Sequence, residues 1–98
     1  MIKYSKEYAV KEVMRYAEDS YCRCDDYAIY DATPLDIELY LQDLGFEEIG
    51  VDYDSPFDEV FCHYHKDGIM IVIVFNGWVQ YVGIYGYHTD TYKNLDTE

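Results

Sequence analysis

At 98 residues the chain holds one domain and is too short for two; half its residues are apolar, so a packed core is expected rather than disorder. The net charge of −13 sets the problem, because fourteen acids and a single base, Arg23, lie between residues 17 and 62 and carry the whole excess, while the two flanks cancel at +2 and −2. Such a segment repels nucleic acid, and the absence of a long apolar run (the longest is 69–75) argues against a membrane span.

The start of the chain turns charged within a few residues and reads as no secretory signal, and three cysteines, Cys22, Cys24 and Cys62, make an odd set. Reduced thiols and a cytoplasmic location are the expectation.

Ser5 opens a first helix over about 6–20, with Val10, Val13, Met14, Ala17 and Tyr21 on one face. Glu7 with Lys11 and Arg15 with Asp19 are placed for i,i+4 pairing on the other. Residues 21–32 show neither helical nor strand period. Thr33-Pro34-Leu35-Asp36 is clear punctuation: Thr33 suits the N-cap, Pro34 the first helical position and Asp36 the third. The second helix runs to about Leu44 with Ile37, Tyr40, Leu41 and Leu44 inward. Gly45 stops it, and Phe46 folds back on the last turn.

After Phe46 the hydrophobic period drops to two. Ile49, Val51 and Tyr53 alternate with Glu48, Gly50 and Asp52 as in a half-buried strand, and Asp54-Ser55-Pro56 breaks it. Further strands are predicted at 59–65, 69–75 and 78–85, joined by turns at Asp67-Gly68 and Asn76-Gly77. The predicted fold is α+β: two N-terminal helices on one face of a four-stranded antiparallel β-meander, ending in a polar tail from about residue 88.

Two-residue turns set Lys66 opposite Ile69 and Phe75 opposite Trp78. One face then collects Val60, Cys62, Tyr64, Ile69, Ile71, Ile73, Phe75, Trp78, Val82 and Ile84 as core. The other carries Phe61, His63, His65, Met70, Val72, Val74, Val79, Tyr81 and Tyr85. That set is too apolar for open solvent and predicts a cover, either a partner or a second copy of the chain.

Candidate chemistry is sparse. Cys22-Arg23-Cys24 and Cys62-His63-Tyr64-His65 match no structural zinc spacing, and Cys62 and His63 point to opposite faces of a strand. His63 and His65 share a face about 7 Å apart, with His88 a conceivable third, but buried thiol and surface imidazole describe these residues better. The acidic stretch 52–59 has calcium-like oxygen spacing. It lacks the glycine at the sixth loop position and carries His63 at the twelfth, where a bidentate Glu belongs. No nucleophile elbow or phosphate-binding glycine loop is present. No enzyme, no metal and no cofactor are therefore expected.

Thirteen tyrosines in 98 residues point to contact surface as well as core, with Tyr27, Tyr30, Tyr40, Tyr81 and Tyr85 the candidates for exposure. In size, charge and aromatic content the chain resembles the small acidic proteins of phages and mobile elements that block restriction enzymes or CRISPR effectors by imitating DNA charge. That class shares no motif, so no residue role is carried over from it. The resemblance implies an inhibitor of a basic, nucleic-acid-binding enzyme. Asp25, Asp26, Asp36, Asp43, Glu47 and Glu48 form the candidate docking surface, with Tyr40 as an apolar anchor. An antitoxin or immunity protein against a basic toxin fits the same electrostatics. A third reading is a structural module of a mobile element that dimerises through the open sheet face.

Overall fold

The computed structural model describes residues 3–20, 27–76 and 82–89. Among the described residues there are six strands and two helices, in the order β1 (Lys3–Tyr4), α1 (Lys6–Ser20), β2 (Tyr27–Ile29), α2 (Pro34–Asp43), β3 (Glu47–Asp54), β4 (Glu59–Lys66), β5 (Ile69–Asn76) and β6 (Val82–His88), with a 3-10 turn at Ser55–Phe57 between β3 and β4. The strands form one sheet in the order β1-β2-β6-β5-β4-β3.

The helices begin and end where local chemistry puts them. The Ser5 hydroxyl accepts the Tyr8 N–H at 3.3 Å and so caps α1. Thr33 and Asp36 form a reciprocal capping box at the start of α2: the Asp36 N–H donates to Thr33 Oγ1 and the Thr33 N–H to the Asp36 carboxylate. At the other end Gly45 takes φ 98°, donates to Gln42 O, and lets Phe46 donate to Leu41 O. This double bond is a Schellman stop, and Lys66 Nζ adds a third donor by bonding Leu44 O. The surface pairs of α1 differ from expectation: Arg15 pairs with Glu12 at 2.9 Å, and Glu7 is held by Lys6 at 3.0 Å. The side chain of Asp19 lies outside the description.

Both helices pack on the sheet face that carries Tyr64, Ile71, Ile73 and Ile84, closing a core with Ala9, Val10, Val13, Ile37 and Leu41. At the Asp67-Gly68 turn both residues take positive φ (49° and 83°) and Lys66 opposes Ile69, so the predicted two-residue hairpin holds.

Several expectations are corrected. The sheet has six strands rather than four, and helices and strands interleave instead of following one another. The β1–β2 pair is parallel, so the sheet is not a pure antiparallel meander. The β5–β6 ladder sets Ile73 against Ile84 and Val74 against Gly83, and Asn76 belongs to β5, where it opposes Glu59. The predicted register, with Phe75 opposite Trp78, would set Ile73 against Gln80. The observed ladder differs from it by four residues, an even number, so Val82, Ile84 and Tyr85 keep their predicted faces. Residues 78–81, including Tyr81, fall outside the description. β3 is also not half-buried. Ile49, Val51 and Tyr53 are 56, 55 and 61 % exposed, because a register shift between Glu48 and Gly50 breaks the alternation and the helices stop short of this edge.

Candidate interaction surface

The outer face of α2 is built by its own period. Taking 100° per residue, Asp36 and Asp43 lie within about 20° of one another, with Leu39 and then Leu35 beside them. Ile37 and Leu41 point the other way into the core, wholly buried. Leu35 and Leu39 are 61 and 51 % exposed, so two leucines four residues apart stand next to two carboxylates. Tyr40, the expected anchor, is half-buried against the core and lines a groove of about 560 Å³ between α2 and α1, together with Met14, Leu44 and Lys11. The signal for the exposed pair was present in the sequence: Leu35 and Leu39 fall outside the Ile37-Leu41-Leu44 stripe.

From the end of α2 the chain enters β3 at the rim of the sheet. Glu47 opposes His65 and Glu48 opposes Tyr64, so the two glutamates project from opposite faces. Glu48 stands on the helix side and accepts a hydrogen bond from Tyr64 Oη at 3.3 Å. Glu47 and Asp52 stand on the other side, where Asp52 meets His63 Nε2 at 2.9 Å. The predicted docking set is therefore divided: Asp36, Asp43 and Glu48 lie on the α2 side, Glu47 turns around the rim, and Asp25 and Asp26 are outside the described residues. Of the described members, Asp43, Glu47 and Glu48 gather where α2 runs into β3, whereas Asp36 lies in the first turn of α2, within electrostatic reach of Lys6.

Burial and negative charge combine at one point beneath α2. Cys62 and Tyr64 project from β4 toward the helix, and both are pushed above their ordinary pKa first by burial. The Glu48 and Glu38 carboxylates then raise them further. Among the described residues the groups acting on Cys62 all hold it in the thiol form, the opposite of a nucleophilic setting. In the 52–59 stretch the Tyr53 hydroxyl donates to Asp58, and Asp52 is engaged with His63, so these oxygens turn apart instead of converging. Among the described residues no three His, Cys, Asp or Glu side chains come together as metal ligands.

The open face of the sheet carries Phe61, His63, His65 and Met70 half-buried, with Val72 fully buried and Tyr85 only 9 % exposed. Among the described residues, large exposed apolar side chains lie at Leu35, Leu39, Ile49, Val51, Tyr53 and Phe57, on α2, on β3 and just beyond it, and at Tyr8, Tyr16 and Tyr30 on and near α1. Of the tyrosines expected outside, Tyr30 is 59 % exposed, Tyr27 and Tyr40 are half-buried and Tyr85 is buried; Tyr8, Tyr16 and Tyr53 are exposed instead. No helix among the described residues is long and apolar enough to cross a membrane.

Compared with known proteins, the chain matches no family model, no curated protein and no solved structure.

Proposed function

We propose that this protein is an acidic inhibitor that docks its α2–β3 end in the basic, nucleic-acid-binding groove of an enzyme, using carboxylates in place of phosphates. The observation that carries the reading is the pairing of Asp36 and Asp43 with exposed Leu35 and Leu39 on one helix face. Carboxylates alone serve solubility as well as recognition. Two uncovered leucines beside them add the desolvated contact that a specific interface needs. The acids around them, from Glu38 to Asp54, supply steering toward a positive surface.

The test is capture from host extract at low and high salt, with duplex DNA as competitor. The expected result is a basic nucleic-acid-binding enzyme retained at low salt, released at high salt and displaced by DNA. Asp36→Lys with Asp43→Lys should slow its association by about tenfold or more while changing dissociation little. Capture that resists salt and DNA, and survives the double reversal, would defeat the reading.

A further inference from the structure

The strand order ends at β3 on one side and at β1 on the other. β1 offers two residues, whereas β3 offers eight, Glu47–Asp54, so the long free edge among the described residues is β3. An edge of this length presents alternate N–H and C=O groups to solvent over about 27 Å. Proteins ordinarily blunt such an edge with proline, lysine or a short strand. β3 has neither proline nor lysine; its protection is a register shift between Glu48 and Gly50 and its acidic side chains, and it still leaves Ile49, Val51 and Tyr53 more than half exposed.

What β3 does carry is Glu47, Glu48, Asp52 and Asp54, with no base among them. These acids decide which strand can be added. With the register shift at Glu48/Gly50 counted as one ladder position, a second copy laid antiparallel and centred on Gly50 sets Glu47 against Asp52, and centred on Val51 sets Glu47 against Asp54, each pair on one face. Like charges directly opposed across strands destabilise the pair. A basic strand meets the opposite condition on both faces. Its side chains beside Glu47, Asp52 and Asp54 would be lysine or arginine. Those beside Val51 and Tyr53 on the helix side would be β-branched or aromatic.

We infer that the β3 edge is a strand-addition site for an extended basic segment of a partner protein, with cationic and apolar side chains in alternation. This rests on the reading above for the positive character of the partner. It adds the mode of binding: main-chain pairing supplies affinity, and the two faces of β3 supply selection.

The probe is a capped eight-residue peptide alternating Lys or Arg with Val or Ile, titrated into the 15N-labelled protein. Expected are amide shifts concentrated in residues 47–54 and cross-strand contacts from the peptide to β3. N-methylation of alternate peptide nitrogens, which keeps the charge and removes the donors, should weaken binding at least tenfold. Glutamate in place of the basic residues should abolish it. Equal binding by the N-methylated peptide, shifts confined to α2, or a dimer of the free protein paired through β3 would each overturn the inference. Loss of peptide addition alongside retained, DNA-displaceable enzyme capture defeats strand addition alone. Peptide addition without such capture defeats the groove-blocking reading alone.

Discussion

Gly86 of β6 lies flat against Val13 of α1: a Cβ at Gly86 would collide with Val13 Cγ1 and come within 2.9 Å of the Met70 carbonyl oxygen. The first helix can approach the centre of the sheet this closely only because that position carries no side chain. Gly86→Ala should therefore cost about 1–3 kcal/mol through overpacking. Gly50 on the edge has nothing within 4 Å of an added Cβ, so Gly50→Ala should leave stability within about 0.5 kcal/mol of wild type or raise it slightly. Urea denaturation midpoints of the two variants check both statements.

The Thr33–Asp36 capping box gives a pH-dependent term. Hydrogen bonds from Thr33, backbone first, hold the Asp36 carboxyl below its ordinary value of 3.8. A depressed carboxyl stabilises the fold above its unfolded-state pKa and loses that contribution as pH falls through the folded value. Thr33→Ala should cost about 1 kcal/mol near neutral pH. Asp36→Asn should flatten the acid side of the stability curve below about pH 4. Denaturation of the three proteins across that range tests the sign.

Cys62 should react slowly. Burial first, then Glu48 and Glu38, raises its thiol pKa, so little thiolate exists at neutral pH. In a Cys22→Ser, Cys24→Ser background, labelling with a disulfide reagent should run slower than for a free thiol. Glu48→Gln should speed it, through lost charge and the lost Tyr64 contact. A labelling rate at or above that of free cysteine would contradict the assignment.

Lys66 reaches from the end of β4 to the C-terminus of α2, bonding Leu44 O with its ammonium 5.8 Å from the centroid of the Phe46 ring. Lys66→Met keeps the length and removes the charge. It should cost about 0.5–2 kcal/mol, most of it in the last turn of α2. Amide exchange at Leu44 and Gly45 should rise more than exchange in α1.

The parts of the fold legible in the sequence are those fixed by local stereochemistry. Thr33-Pro34-Leu35-Asp36, Gly45-Phe46 and Asp67-Gly68 each specify one backbone geometry, and each appears as read. The face assignments of β4, β5 and β6 also hold, since a four-residue slip preserves parity. The β5–β6 register read from the Asn76-Gly77 signal differs from the one observed, because the ladder is fixed by Ile73 opposite Ile84 over the core. β1 and β2, at two and three residues, are too short to show a period and exist only through their neighbours. On α2 the sequence reads the carboxylates as exposed but favours Tyr40 as the anchor over the exposed leucines. Tyr40 and Leu39 are adjacent in sequence, and only the angular position of the core stripe turns one inward and the other out.

The sheet order has a consequence for how the chain is made. β6 lies between β2 and β5, so β1 and β2 join the sheet only through a segment that leaves the ribosome after β3, β4 and β5. The β3–β4–β5 meander can pair as it emerges, because its contacts are between neighbours in the chain. α1, whose main seat is β6, must wait beside an incomplete floor. A nascent chain halted before Val82 would hold its acidic edge formed and its first helix undocked, so the β3 edge takes shape before the core beneath α1 closes.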